Sequence, residues 1–460
     1  MQRLSPLDSS FLHIEDASSP MHIASIAIFE GPAPKFTDVL AMIASKMSQV
    51  PRYRQKVRFV PFELNRPVWV DDVHFNLEYH VRHTALPAPG SDEQLRNLIG
   101  RIMSQALDRS KPLWEMWMVE GLEDQHWALI SKSHHAMVDG VSGTDLLGVV
   151  LDTSPDPARG EMAPWKPEPE LSPAEFLGAS LAERVVSPYE GLRSARSMVM
   201  RPRRLLAEIA TTSKGLTSMR GLVRRTEESS LNGPIGPHRR YTWTRGNVSE
   251  VKAVRQALGG TLNDVVLAAI TQGFRQLLIS RGENVEGRHV RSLVPVSVRK
   301  AAQKGSYDNR VSAMFAELPV GIDDPVERLH AVTTQLRDLK DSNQAVAGET
   351  LTSLAGFAPP ALLSAGTRVA MRIPQRNLNT VTTTVPGPRV QLYAAGSKML
   401  EAFPYVPLAG QVRIGVAIFS YLDTLNFGIT GDAETNPDLE VLAAGIADGL
   451  ADLKKAAEKA

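Results

Sequence analysis

The chain of 460 residues contains no cysteine. Disulfides, thiolate metal ligands and a cysteine nucleophile are excluded together, and a disulfide-free chain suits the cytosol. Net charge is also nearly absent, because 51 Lys and Arg face 50 Asp and Glu, a balance of +1. Bulk electrostatics therefore call for no nucleic acid, and a charge-driven partner has to act through a local patch. The N-terminus "MQRLSPLDSSFLHIED" places Asp8, Glu15 and Asp16 where a secretory signal needs an apolar core, so no signal peptide is expected. No run of about 18 apolar residues occurs, and no membrane-spanning helix is predicted. The nearest approach, "LAGFAPPALLSAGTRVAM" from Leu354, is broken by two prolines and an arginine and reads as a buried or interfacial helix. The HExxH spacing of a zinc protease is missing. So is the GxSxG of a strand-to-helix serine elbow, since "GVSG" (140–143) lacks its spacing.

What is present is the composition of a globular protein, 43% hydrophobic and 22% charged. The length fits two domains. "MHIASIAIF" (21–29) reads as a strand, and "SDEQLRNLIGRIMSQAL" (91–107) as a helix with Ser91 and Gln94 in a capping box. "WEMWMVEGL" (114–122) and "HWALISKSH" (126–134) read as a hairpin, and 142–152 returns to helical spacing. A Pro-rich, polar segment (153–173) reads as an extended linker. Strands follow at 238–246, 289–299, 309–320 and 378–388, and 412–430 alternates like a hairpin. The clearest helix is 261–282, with Thr261 as cap, Asp264 in its first turn and Gly282 at its end. An Ala- and Leu-rich helix closes the chain. The reading is α/β, with two mixed-sheet domains at 1–152 and 238–460 joined by a long crossover at 153–237.

Within that crossover, residues 193–225 interleave basic side chains, among them Arg193, Arg196, Arg204, Arg220 and Arg225, with apolar ones such as Met198, Leu205 and Leu222. This is the pattern of a basic amphipathic surface helix. It reads either as a solvated crossover between domains or as a contact with a membrane or lipid surface, to which each basic group adds on the order of 1 kcal/mol.

The chemistry concentrates in "SKSHHAMVDGVSG" (131–143), where a strand ends and a helix begins. His134 and His135 are adjacent, so on a strand they point to opposite faces, and one ion does not easily take both. His135 and Asp139 alone fall short of the three protein ligands of a catalytic zinc, and no metal is expected. A single histidine can instead serve as a general base near neutral pH if its tautomer and orientation are fixed. Gly140 would permit the tight turn, and Asp139 could pair with an arginine and pin it. A lone histidine at a strand end is also often structural, and the residues of this stretch alone leave both readings open.

"HHAMVDG" (134–140) resembles the HHxxxDG motif of the coenzyme A-dependent acyltransferase superfamily, to which chloramphenicol acetyltransferase belongs. The flanking elements resemble one branch of it, the bacterial wax ester synthase/acyl-CoA:diacylglycerol acyltransferase family. They are "LSPLDSSFLHIEDASSPMHIA" (4–24), "KPLWEMWMVEGL" (111–122), "TLNDVVLA" (261–268), "LVPVSVR" (293–299), "DNRVSAMFAELPV" (308–320), "TVPGP" (384–388) and "SYLDTLNFGITGD" (420–432). They stand in order over nearly the whole chain. One departure is Thr384, where the family usually has asparagine.

The resemblance implies two chloramphenicol acetyltransferase-like domains and transfer of a long acyl chain from acyl-CoA to diacylglycerol, or to a fatty alcohol or another lipid hydroxyl. A catalytically weak lipid-binding paralogue is the reading from another class. His135 is implied as the catalytic base, supported by His134, Asp139 and Gly140, with Asn263 and Asp264 in a further element tied to activity. Asp264 reads equally as a charge at a helix N-terminus. Pro112, Leu113 and Trp114 are expected to line the acyl channel or to pack the core. Ser297 and Arg299 are placed with the channel, Arg299 alternatively in an interdomain ion pair. Acyl-CoA is implied as co-substrate with no further cofactor. The partners are a lipid alcohol and a membrane or lipid droplet surface met through 193–225, and the location is cytoplasmic or peripheral at a membrane.

Overall fold

The computed structural model describes residues 2–61, 64–137, 146–157, 165–178, 228–297, 311–341 and 378–460. The stretch 193–225, Asp139, Gly140 and Arg299 lie outside the described residues, and so does the side chain of Ser297. Fifteen strands are described in chain order: β1 (Gln2–Arg3), β2 (His22–Phe29), β3 (Gln55–Arg58), β4 (Val68–Asp71), β5 (Val81–Ala85), β6 (Trp114–Glu120), β7 (Trp127–His134), β8 (Arg239–Asn247), β9 (Val290–Ser297), β10 (Val311–Leu318), β11 (Thr380–Val385), β12 (Tyr393–Ala394), β13 (Ser397–Tyr405), β14 (Ile414–Tyr421) and β15 (Thr424–Asp432). Two six-stranded sheets run β12-β13-β2-β7-β6-β5 and β10-β9-β11-β14-β15-β8, and a small third sheet runs β1-β4-β3. Both large sheets are mixed. The first is antiparallel except for β5 with β6, and the second pairs β11 in parallel with both β9 and β14.

Strand β7 is buried along its whole length, as a central strand covered on both faces must be. Its alternate residues feed two cores. Trp127 and Leu129 join Phe29, Met116 and Trp114, whereas Ala128 and Ile130 join Ile99, Ile102 and Met103. The latter three lie on a helix, Asp92–Ser104, whose N-terminus closes with the expected Ser91–Gln94 capping box. Buried Lys132 on β7 meets the far end of that helix, donating to the carbonyls of Ile102 (2.9 Å) and Gln105 (2.5 Å). A cation there answers the partial negative charge of the helix terminus. Burial lowers this amine to about 8.

Two features depart from the sequence reading. The segment 153–173 was expected to be an extended linker. Its described part is extended but pinned to the small sheet. Arg58 donates to the Leu171 carbonyl (2.6 Å), Arg54 lies over the Trp165 ring at 4.6 Å, and just beyond the segment Phe176 is buried with Val60, Val68 and Val70. Aromatic side chains in and next to the Pro-rich run supply the apolar area that composition alone conceals. The second departure is that β12 and β13, from the C-terminal half, complete the first sheet. Phe403 stands opposite Ile26 and Tyr405 opposite Ala24, so a boundary at 238 does not separate the two sheets. Among the described residues no helix is long and apolar enough to cross a membrane.

Strand β13 also joins the halves on its other side. Asn426 on β15 donates to the Ala402 carbonyl (2.9 Å), and the Tyr241 hydroxyl donates to that of Pro404 (2.8 Å). Gly428 sits against the same carbonyl, and a Cβ there would come within 1.7 Å of the Pro404 oxygen. Gly428→Val is therefore expected to force the sheets apart and to destabilise the protein by roughly 3 kcal/mol or more, at or beyond the usual cost of overpacking. Thermal unfolding of the variant beside the parent protein measures it, and an unchanged midpoint would contradict this account of the junction.

Candidate active site

The two histidines end β7 and part from one another as neighbours on a strand should. His134 is the last strand residue, paired with His22 of β2. His135 opens a 3-10 turn, His135–Met137. Two backbone bonds hold the pair from outside the strand: the His134 N–H donates to the Leu113 carbonyl (2.9 Å), and that of His135 to the Met21 carbonyl (2.8 Å). The His135 side chain then meets a helix, α1 (Pro6–Ile14), and that of His134 the residue that caps its end.

His134 faces a buried carboxylate just beyond that helix. Glu15 Oε2 lies 3.5 Å from His134 Nε2, and Glu15 Oε1 lies 3.3 Å from His22 Nε2. Arg109 Nε donates to Oε2 at 3.0 Å, and the Met21 N–H donates to Oε1 at 3.2 Å. Burial alone would raise the Glu15 carboxyl, but the contacts with His134, His22 and Arg109 outweigh it and hold the group well below the usual carboxylate range. His134 Nδ1 accepts the Ala136 N–H at 3.0 Å. That nitrogen is thus unprotonated, which puts the proton of a neutral ring on Nε2, toward Glu15. The imidazole of His134 links the carboxylate to the turn that carries His135. Burial lowers His22 to about 4 despite its contact with Glu15, with Lys132 nearby adding to the effect.

His135 is set differently. The Phe11 ring stacks on it with centroids 4.0 Å apart and planes at 28°. Nδ1 is sealed from solvent without a full hydrogen bond. The backbone group that favours its charged form is its own carbonyl, which Nδ1 alone can reach. The residue as a whole keeps part of its surface open. Burial, opposed by the own-carbonyl contact and aided by His134, lowers the imidazole to about 4. At neutral pH it is an uncharged acceptor.

The other residues singled out from sequence take several positions. Pro112, Leu113 and Trp114 are buried. Leu113 and Trp114 belong to the core around Phe29 and Met116, with Trp114 Nε1 donating to the Tyr53 carbonyl (2.8 Å) and its ring stacked on His80 at 4.7 Å. Leu113 and Trp114 thus pack in the core, and the link of this segment to the site is the Leu113 carbonyl, which accepts the His134 N–H. Asn263 and Asp264 stand in the first turn of the helix Leu262–Ser280. Asp264 completes a capping box with Thr261, Oδ2 accepting the Thr261 N–H at 2.9 Å. Its Oδ1 is buried with no hydrogen-bond partner. Asn263 Oδ1 accepts from the Thr384 hydroxyl at 3.1 Å, so the ND and TVPGP elements meet through the residue that departs from the family pattern. The backbone of Ser297 ends β9 opposite Val311. No cluster of three or more metal-ligating side chains exists among the described residues.

Phe11, Glu15, His22 and Arg109 were not picked out from sequence as site residues. Phe11, Glu15 and His22 stand inside the stretch 4–24 that carries the resemblance, and an acidic residue followed seven positions later by histidine was the available signal. The fold alone brings Arg109, 94 positions from Glu15, into the same cluster.

Residues 4–266 match the wax ester synthase/diacylglycerol acyltransferase catalytic domain, and residues 307–454 match the C-terminal domain of the same family. A relative from Mycobacterium tuberculosis (strain ATCC 25618 / H37Rv), named probable diacylglycerol O-acyltransferase tgs1, is 38% identical over 455 residues, covering 98% of this chain and 96% of its own. The solved wax ester synthase/diacylglycerol acyltransferase from Marinobacter aquaeolei VT8 is 26% identical with a TM-score of 0.69, covering 99% of this chain and 100% of that one. The starter condensation domain of rhizomide synthetase RzmA, solved in complex with C8-CoA and Leu-SNAC, shares the fold at a TM-score of 0.57 and 13% identity, over 99% of this chain and 94% of its own. The two-domain mixed α/β architecture expected from the sequence is thus a shared one.

The cluster sets two expectations. Glu15→Ala leaves Arg109 and two imidazoles without their carboxylate. It should cost toward the lower end of the roughly 3–5 kcal/mol typical of a broken buried pair, because Arg109 keeps contact with solvent. Chemical denaturation of the variant measures this. The second concerns pH. His22 titrates at about 4 when folded against 6.5 ordinarily, so between those values the unfolded chain binds the extra proton. Stability should therefore fall as pH drops from 6.5 toward 4, by on the order of a few kcal/mol. A His22→Asn variant should show a flatter profile over that window in denaturation at stepped pH.

Proposed function

The chain belongs to the wax ester synthase/diacylglycerol acyltransferase family, and on that premise we propose that it moves a long acyl chain from acyl-CoA onto the hydroxyl of diacylglycerol. The observation that carries the mechanism is the set of His135: an imidazole directly after a strand end, held uncharged at neutral pH by burial, with Nδ1 sealed from solvent and the residue still partly exposed. With the proton on Nδ1, Nε2 holds the lone pair that a general base needs.

In the proposed reaction Nε2 takes the acceptor hydroxyl proton as its oxygen attacks the thioester carbonyl carbon. A tetrahedral oxyanion forms and calls for nearby donors. The carbon–sulfur bond then breaks, and the imidazolium returns its proton to the departing thiolate. The products are an ester and free CoA. No acyl-enzyme is needed, which agrees with a chain that has no cysteine and no serine elbow. Acyl-CoA acts as co-substrate, and no cofactor enters. Holding two substrates in line can contribute several kcal/mol, on the order of 7–11 in the best cases. Asp139 and Gly140 support the turn in this reading. The lipid surface that an insoluble acceptor requires is met through the basic stretch 193–225.

A fatty alcohol acceptor is the second reading, favoured by the family's own description, which pairs wax ester synthesis with diacylglycerol acylation. Release of CoA thiol from palmitoyl-CoA across a panel of diacylglycerol, fatty alcohols and no acceptor separates the readings, with His135→Ala as control. Diacylglycerol should give the highest turnover, and the control should fall by roughly 1,000-fold, within reach of a lost general base. Thiol release without acceptor would indicate a thioesterase, and turnover equal to the control throughout would indicate a lipid-binding protein. For the wild type, kcat/KM should stay level from pH 8 to about 5 and decline near 4 as His135 takes up a proton. A decline centred near 6.5 would contradict a buried base.

A further inference from the structure

A general base works only if its ring is held in one plane. The common device is a carboxylate or carbonyl on the nitrogen away from the substrate. His135 lacks a full bond of that kind. Its Nδ1 is sealed and, among the described residues, makes no full hydrogen bond. The Glu15 carboxylate, one residue away at His134, is taken up by His134, His22 and Arg109.

One side chain lies flat on the ring instead. We propose that Phe11 is the positioning residue of the base, its ring stacked on the His135 imidazole so that Nε2 is presented in a single plane. The proposal rests on His135 being the base described above. The separation of 4.0 Å at 28° is a close stack for an aromatic pair, whose centroids usually lie 4.5–7 Å apart.

Phe11 is itself held. Helix α1 starts on Ser5, whose hydroxyl oxygen accepts the Asp8 N–H at 3.1 Å, with Pro6 at its first position. It ends where the Glu15 N–H donates to the Phe11 carbonyl at 3.1 Å. The residue that anchors His134 thus also fixes the backbone of the residue stacked on His135. Phe11 keeps part of its surface open, so its ring is a wall between the base and the outside rather than a member of the sealed core. When His135 becomes an imidazolium, the face of Phe11 is the group it meets, and a ring face attracts a cation.

The test compares Phe11→Leu, which keeps an apolar side chain but no flat face, with Phe11→Tyr, which keeps the ring. For Phe11→Leu, kcat should fall roughly 10- to 100-fold, the scale of a small misplacement of a reacting group. KM for palmitoyl-CoA should stay within about twofold, because the lost interaction acts after binding. Phe11→Tyr should recover kcat to within about threefold of the parent, since the stack persists. Circular dichroism and a melting curve accompany each variant, and Phe11→Met carries the same test if Phe11→Leu does not fold. A kcat unchanged in the leucine or methionine variant, a loss of kcat matched by a rise in KM, or a tyrosine variant no better than leucine would each overturn the proposal. Full activity in His135→Ala would overturn the base itself. Inactive His135→Ala beside a wild-type leucine variant would overturn the role of Phe11 alone.

Discussion

A carboxylate taken out of water is costly unless its charge is answered, and Glu15 is answered by Arg109, by two imidazoles and by a backbone N–H. Much of the site is arranged around that arrangement of charge. The carboxylate follows directly on α1 and so fixes where the helix ends. It meets His22 at the start of β2 and His134 at the end of β7, the two strands that lie side by side in the first sheet. Through Arg109 it ties in the loop that runs from the helix 92–104 to β6. One buried group therefore sets the relative positions of the segments that surround the turn carrying His135. Its removal would be felt in stability and in geometry together, because a buried ion left alone costs more than the pair contributes.

The second constraint is the strand β13. It belongs by sequence to the C-terminal half and by hydrogen bonding to the first sheet. On its outer side the Ala402 and Pro404 carbonyls accept from Asn426 and Tyr241 of the second half. Gly428 allows the close approach. Reaction between two separate molecules benefits from walls contributed by two bodies, provided the bodies do not drift. A shared strand gives that fixity, together with an apolar seam in which Tyr241 and Trp243 of β8 pack with Ile26, Ile99 and Phe403. Buried Arg239 adds to it from β8, donating to carbonyls at Gly236, His238 and Ser18, the last in the loop that leads to Met21.

Local signals were legible in the sequence. The capping boxes at Ser91 and Thr261, the hairpin of β6 and β7 and that of β14 and β15 all follow from short-range rules, and each forms. The divergence of His134 and His135 was readable from strand alternation alone. What was not legible is long-range pairing. Trp114 gives the same signal whether it lines a channel or fills a core, and its packing against the Tyr53 carbonyl and the His80 ring is set by residues far along the chain. Strand β13 has the composition of any strand, and nothing in 397–405 announces a partner at 24–29. Glu15 reads as a solvated charge until Arg109, far along the chain, is placed beside it. The helix α1 was missed because it is only nine residues long, too short for the helical spacing of Leu7, Phe11 and Ile14 to stand out; Phe11 serves the site and Leu12 the core.

The contrast between the two histidines explains how one short motif can divide its labour. His134 is given a carboxylate and a fixed tautomer, the environment that holds an imidazole still. His135 is buried beside an apolar ring, and burial is what keeps its imidazole neutral. Had the carboxylate faced His135 instead, a proton taken from the acceptor would be stabilised on the ring, as in a hydrolase triad. In the proposed transfer the proton is needed again one step later, on the sulfur of CoA. An imidazolium without a carboxylate partner is a stronger acid, with a pKa displaced toward 4 rather than above 6.5, and gives its proton up readily. The cost falls on the first step, where the same weak base must draw a proton from an alcohol. That step is then driven by attack on the thioester in the same motion, which requires both substrates in line before the proton moves. A site that keeps its base neutral and its carboxylate one residue away is therefore suited to transfer between two bound molecules, and poorly suited to activating a water that arrives alone.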